Sequence, residues 1–164
     1  MPAAISGLNV QNITKGALSL LNEYLKKQQI IPSEGAALHY AAQNSKINIS
    51  VLLTYTERLR NFGYWHEQLI AESLGKKNKG FTPVHSMGAT DQHSLLQLFL
   101  EGPKDKLITF ITLKKQKDHI KINNSLIAKI KKLSFLKKKS LNKLLDFEME
   151  KVCKLLNEYK RPYR

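Results

Sequence analysis

The sequence INISVLLTY, residues 47–55, is the strongest indication of the fold class, because it is rich in β-branched residues and almost continuously apolar. A strand covered by helices on both faces has this pattern, whereas a half-exposed strand alternates apolar and polar residues. A helix is predicted directly after it, from about Glu57 to Leu74, with Gly75 as its C-cap. The stretch therefore predicts a buried strand that is followed by a helix.

The same order repeats further along the chain. The lysine- and glycine-bearing loop KKNKGFTPVHS leads into a short extended segment, and Thr90 or Asp91 then caps the helix DQHSLLQLFLE. KLITFITL, residues 106–113, is a second strand with little alternation. Strand, helix, strand and helix in succession predict an α/β fold, a three-layer sandwich with a mostly parallel sheet.

The flanks of this region are predicted to be helical. Residues 14–29 form an amphipathic helix, and Ser33 is the expected N-cap of the Ala-rich helix SEGAALHYAAQN. A last amphipathic helix is expected over residues 140–159, with an apolar stripe at Leu141, Leu144, Leu145, Met149, Val152 and Leu156. The lysine-rich residues 114–138 predict only a short strand or an irregular arm. We expect one domain over residues 1–164.

Charge is concentrated in the last third of the chain. Residues 1–102 carry 9 Lys and Arg against 7 Asp and Glu, whereas residues 103–164 carry 18 against 6. A nucleic-acid-binding module is one interpretation, since a basic face attracts phosphates. Lys supplies 23 of the 27 basic residues, however, without the Arg forks and stacking aromatics of most phosphate and base recognition. Solvated lysine faces are the preferred interpretation, and nucleic acid is not an expected partner.

The remaining composition limits the compartment and the class of protein. One cysteine, Cys153, provides no internal disulfide framework and favours a reducing compartment. The first residues have no signal-peptide pattern, and apolar runs such as LLQLFL are far shorter than a membrane span. We therefore expect a soluble, cytoplasmic protein without a membrane partner.

A first polar cluster lies in WHEQLIAESLGK, residues 65–76. On a helix, Gln68 and Glu72 are four residues apart and share a face, with Trp65 close by on the same side. A carboxylate there could abstract a proton next to a carbonyl. The alternative is a surface glutamate that pairs with Lys76, and spacing alone favours that alternative.

A second polar cluster lies in GATDQHSLLQLFLEGPKDK, residues 88–106. His93 falls in the first helical turn, where the free backbone amides and the positive end of the helix dipole suit an anionic or polyol ligand. A half-buried histidine held by a cap is equally compatible with the spacing. The close paired spacing of zinc ligands is missing from the chain's histidines. Periodicity leaves both interpretations of His93 open.

Taken together, the two clusters resemble the glucose-6-phosphate isomerase family in its compact bacterial branch. QLIAESLGK is similar to the family's Glu-Ser-x-Gly-Lys segment, and GATDQHSLLQLFLEGPKDKLITF is similar to its Gly-x-x-x-Gln-His segment. PAAISGL and YTERLRNFGYW also resemble that branch. The likeness is specific over about residues 2–112 and faint over 139–164. Two long motifs at the expected separation outweigh the structural interpretations of either one.

The resemblance implies a sugar isomerase (SIS) sandwich that interconverts glucose 6-phosphate and fructose 6-phosphate, a step of glycolysis and gluconeogenesis. Glu72 matches the family's base, which moves a proton between C2 and C1 through a cis-enediol. Gln68 matches a glutamine that lines the sugar site. His93 matches the ring-opening histidine, which a neighbouring subunit contributes in the family. The chemistry requires no metal and no cofactor, and the histidine from a neighbouring subunit implies a homodimer as the working form.

The resemblance also implies segments that this sequence does not contain. The family has a further N-terminal domain with a Ser/Thr phosphate cradle and a Gly-Gly-Arg segment, and it ends in a segment that carries a ring-opening lysine. We therefore expect a C-terminal domain, clipped at both ends, that is weakly active or inactive without a complementing N-terminal isomerase domain. A catalytically inert fragment is the alternative within the same family.

Overall fold

The computed structural model describes residues 2–26, 31–114, 121–122, 125, 127, 130–136 and 139–164. It divides into two compact units, Met1–Ala41 and Ala42–Arg164. The expected single domain over residues 1–164 stays a prediction. Both clusters of candidate site residues belong to the second unit.

A parallel sheet forms the centre of the second unit. Its strands are β1 (Ile49–Thr54), β2 (Thr82–Met87) and β3 (Lys106–Ile111), in the order β2-β1-β3. The first residue of β1 pairs with the first residue of both neighbours, so the three strands begin at one edge and end at the other. Five of the six residues of β1 are buried, which confirms the buried central strand and the parallel sheet.

Helices cover both faces of this sheet, which confirms the predicted three layers. A short 3₁₀ helix (Glu57–Leu59) leads into α4 (Arg60–Leu74), which packs on β1 and β2. On the other face lie α5 (Gln92–Glu101) and α6 (Leu141–Glu158). The buried core joins β1, β3, α5 and α6 through Val51, Leu53, Tyr55, Phe99, Ile108, Val152 and Leu156.

Helix ends follow local rules. Gly75 is the C-cap of α4, as predicted, and its amide donates to the Ala71 carbonyl. Ser140 is the N-cap of α6, where its hydroxyl accepts from the Lys143 amide at 3.3 Å.

Beyond α6, the segment Pro162–Arg164 adds a short parallel extension to the sheet. The amides of Ile108 and Phe110 on β3 donate to the Pro162 and Arg164 carbonyls at 3.1 and 2.8 Å.

The first unit is helical, with α1 (Pro2–Ile5), α2 (Val10–Leu25) and the start of α3 (Ile31–Asn44). The predicted start of the long helix at residue 14 is wrong, because Asn9 caps it earlier by accepting from the Asn12 amide at 2.9 Å. Its predicted last residues, 27–29, lie outside the described ranges. Ser33 is not an N-cap: α3 starts at Ile31, since proline is tolerated in a first turn, and the Ser33 hydroxyl donates to Tyr24 at 3.1 Å.

Part of the lysine-rich region 114–138 is described. A 3₁₀ helix spans Lys131–Leu136, and Lys121 forms an isolated antiparallel bridge with Ser140. Residues 115–120, 123–124, 126, 128–129 and 137–138 of the predicted strand or irregular arm lie outside the described part of the chain. Within the described ranges, the helices are all too short or too polar to cross a membrane.

Candidate active site

Gln68 and Glu72 form a polar pair on one face of α4. The Gln68 amide nitrogen donates to the Glu72 carboxylate at 3.0 Å, and both side chains are exposed. The alternative partner from the sequence, Lys76, forms no ion pair with Glu72 among the described residues. Trp65 on the same helix contacts Phe62, with ring centroids 5.4 Å apart, and is 54% exposed. The carboxylate is therefore open to solvent, with an amide donor beside it and no ion pair to any described residue.

His93 stands at the start of α5, directly after a tight turn that ends β2. Asp91 is the N-cap residue of α5, one of the two residues that the sequence predicted for this role. Its carboxylate does not bond to the first turn of the helix but accepts from the Met87 amide at 2.7 Å. Ala89 takes a left-handed backbone conformation, with φ at 64°. The turn thus projects an exposed His93 from the carboxyl edge of the sheet.

A cleft of about 490 Å³ opens beside His93. Its walls come from the turn, from α5 and from Glu148 on α6; the other lining residues are Ala89, Gln92, Leu96, Gln97, Leu100 and Glu101. The volume falls within the range of roughly 300–1,000 Å³ that small-molecule sites occupy. Amide and carboxylate groups around an apolar floor suit a ligand with several hydroxyl groups.

Tyr55 supports this cleft from below and is not among the site residues predicted from the sequence. It is 2% exposed, and its hydroxyl donates to the Gln92 side-chain oxygen at 2.7 Å. Burial raises the pKa of Tyr55 well above its ordinary value, so the hydroxyl stays protonated and acts as a donor. A methyl group on Gly88 would lie 2.4 Å from the Tyr55 ring, so this position has room only for glycine. The Gly-Ala-Thr turn in the sequence was the available signal for this close approach.

His85 lies on β2, on the sheet face that α4 covers. Its Nε2 atom is 3.1 Å from the Thr54 hydroxyl, and Tyr64 contacts the imidazole edge-to-face at 4.9 Å. Gly63 lies against the same ring, where any Cβ atom would be 2.1 Å from it. Burial lowers the pKa of His85 below its usual 6.5. These contacts make His85 a packing residue between α4 and β2.

Glu72 and His93 do not meet within one chain. α4 starts at the carboxyl edge of the sheet and runs back, and its last residue, Leu74, lies against Gly80, just before β2 begins. Glu72 therefore lies near the amino edge, whereas His93 follows the carboxyl end of β2. The two helices also cover opposite faces of the sheet. A six-residue strand spans about 17 Å, so the two side chains are on the order of 20 Å apart.

Comparison with known proteins supports the resemblance carried by the two motifs. No family model matches the chain. Curated proteins named glucose-6-phosphate isomerase match at 42% identity over 112 residues in Methanocaldococcus jannaschii and 39% over 120 residues in Campylobacter jejuni. These matches cover 66% and 70% of this chain, but only 28% and 29% of the relatives. The Rubrobacter xylanophilus relative is 34% identical and is matched over 99% of this chain and 38% of its own length.

The fold is matched as well. A hypothetical protein from Thermus thermophilus superposes with a TM-score of 0.73 and 31% identity, over 80% of this chain and 32% of that one. The chain thus spans about a third of the length of the proteins it matches. By sequence and fold, the chain is a relative of the glucose-6-phosphate isomerases that matches one part of them.

Proposed function

We propose that this chain contributes to a cytoplasmic isomerase that interconverts glucose 6-phosphate and fructose 6-phosphate. Glu72 is the base: it removes the proton from C2 of the open-chain aldose and returns it to C1 through a cis-enediol, so no proton is gained or lost overall. Gln68 holds the carboxylate and contacts the sugar. His93 assists ring opening. The chain's relatives carry this activity in their names, and this chain matches about a third of their length.

The observation that carries the proposal is the Gln68–Glu72 pair. The resemblance assigns these two residues to one sugar site, and their side chains lie 3.0 Å apart on an exposed helix face. A solvent-open carboxylate that accepts from a neutral amide can take a proton from a substrate carbon. A glutamate with a purely structural role would more often pair with a neighbouring lysine, as Glu158 pairs with Lys154.

The separation of Glu72 from His93 supports a composite site. One base and one ring-opening group cannot serve the same sugar when about 20 Å and a sheet lie between them. We propose that two copies of the chain, in a homodimer, bring Glu72 of one copy to His93 of the other. We also keep the single domain over residues 1–164 as part of the proposal, because the Rubrobacter xylanophilus relative is matched over 99% of the chain.

Deuterium exchange at C2 of glucose 6-phosphate tests the base directly. The chain is assayed alone and together with the part of the Rubrobacter xylanophilus relative that lies outside the match, since the chain alone is expected to be weakly active. Glu72→Gln should lower exchange by about 10²–10⁴-fold, the usual contribution of a general base. Glu67→Gln, on the same helix, is the matched control and should retain exchange.

Equal exchange by Glu72→Gln and the unmodified chain, in a preparation that exchanges, would show that Glu72 is not the base. If neither the chain alone nor the mixture exchanges the C2 hydrogen faster than buffer does, the isomerase proposal fails. The alternative, a catalytically inert fragment, is then supported.

A further inference from the structure

The cleft beside His93 contains a glutamine whose orientation is set from below. Gln92 is the first residue of α5 and lines the cleft with His93. Its side-chain oxygen accepts the Tyr55 hydroxyl at 2.7 Å. Its amide nitrogen has no hydrogen-bond partner among the described residues. The oxygen end of the Gln92 amide is therefore occupied, whereas its two N–H groups at the cleft have no partner in the part of the chain that the structure describes.

Tyr55 is held rigidly enough to determine this orientation. Its backbone amide donates to the Ile111 carbonyl at 2.8 Å, and its ring packs near Phe110, with centroids 5.9 Å apart. The ring also fills the space that Gly88 leaves by lacking a Cβ atom. A buried hydroxyl needs an acceptor, so rotation of the Gln92 amide would leave the Tyr55 donor unsatisfied. The Tyr55 contact therefore selects one of the two amide orientations of Gln92.

We propose that Gln92 is a ligand-binding residue beside His93 and that Tyr55 is its positioning residue. In the orientation that Tyr55 selects, the Gln92 amide nitrogen donates to a hydroxyl or ring oxygen of the ligand. The ligand is a polyol such as the sugar part of a sugar phosphate, because the cleft offers His93 as a proton donor or acceptor beside the Gln92 amide. The identity of the sugar phosphate rests on the proposed function.

Steady-state kinetics on fructose 6-phosphate tests the binding role of Gln92 and the positioning role of Tyr55. The assay uses the preparation that shows C2 hydrogen exchange. Tyr55→Phe keeps the ring and removes the hydroxyl, and KM should rise about 3–10-fold with kcat nearly unchanged, as for one neutral hydrogen bond. Gln92→Glu keeps the acceptor for Tyr55 but loses the amide donor, and KM should rise at least about tenfold. The double variant should resemble Gln92→Glu alone, since both changes act through one group.

Gln97→Glu is the matched control for charge, because it introduces the same carboxylate into the same cleft without touching Tyr55. Its KM should change less than that of Gln92→Glu. An equal rise in the two glutamate variants would assign the effect to charge alone and overturn the binding role of Gln92. A Tyr55→Phe variant with lower thermal stability and an unchanged KM would overturn the positioning role.

Side-chain amide NMR of the ligand-free chain separates this inference from the proposed function. If Tyr55 orients Gln92, the Gln92 amide signals of Tyr55→Phe should move toward those of an exposed glutamine. Unchanged signals would overturn the positioning role even in an active protein. If those signals move but the unmodified chain neither binds nor isomerises the sugar phosphate, the proposed function fails and the binding role of Gln92 fails with it.

Discussion

Glu72 and His93 lie on opposite faces of one parallel sheet and at opposite edges of it. The reason is the β-α-β order itself. α4 returns toward the amino edge before β2 begins, whereas α5 begins where β2 ends. A residue late in the first helix and a residue at the start of the second are therefore as far apart as the sheet allows. Any reaction that needs both side chains requires two chains.

Mixing two inactive variants tests this separation. In a dimer of Glu72→Gln with His93→Ala, one site has lost both groups and the other has both intact. Random pairing makes half of the dimers mixed, so the mixture should recover about a quarter of the unmodified activity. Isomerase assays after joint refolding measure this. Mixing Glu72→Gln with the double variant is the control and should recover none. A single-chain site would leave both mixtures inactive.

Gly88→Ala should destabilise the fold around Tyr55. The new methyl group would lie 2.4 Å from a ring that is itself packed near Phe110, so the core must shift to accept it. Overpacking of this kind costs about 1–3 kcal/mol. Urea unfolding measures the loss. Gly16→Ala is the matched control, since nothing lies within 4 Å and alanine favours a helix interior. Equal effects of the two substitutions would contradict the packing argument.

His85 should make stability depend on pH. Burial lowers the pKa of His85 in the folded chain, so the unfolded chain binds more protons below the ordinary value of 6.5. The contribution of neutral His85 to the free energy of unfolding is therefore complete above pH 6.5. It declines as the pH falls from 6.5 toward the lower pKa of the folded chain. Urea unfolding from pH 7.5 to 5 should show a shallower decline for His85→Gln than for the unmodified chain. Parallel declines would show that His85 does not contribute.

Arg161 joins the chain end to α5. Its Nε atom donates to the Leu100 carbonyl at 2.7 Å, in the last turn of that helix, where a cation is favoured by the dipole. Arg161→Lys loses this planar donor and should cost about 1.5–3 kcal/mol, the usual contribution of a hydrogen bond to a charged group. Thermal unfolding measures it. Lys160→Ala, at an exposed neighbour, is the control, and matching losses would argue against the Leu100 contact.

The layered fold could be predicted because its signals are local. The apolar run over residues 47–55 predicts a strand buried on both faces, and Gly75 and Ser140 are recognisable helix caps. The predicted helix starts were wrong where two local signals compete. Asn9 caps α2 ahead of the predicted start at Thr14, and Pro32 lies inside the first turn of α3 and does not end a helix there. The pairing of Pro162–Arg164 with β3 was not predicted, because three residues carry too little pattern to identify a strand.

Local sequence patterns were enough to predict which side chains share a helix face. Helical periodicity places Gln68 beside Glu72, and a turn before an apolar helix places His93 in its first turn, since both follow from neighbours along the chain. The separation of Glu72 from His93 by the sheet, and the position of Tyr55 beneath Gln92, became visible in the folded chain alone. Those relationships join segments more than 20 residues apart, and they depend on strand order and packing, which local periodicity does not encode.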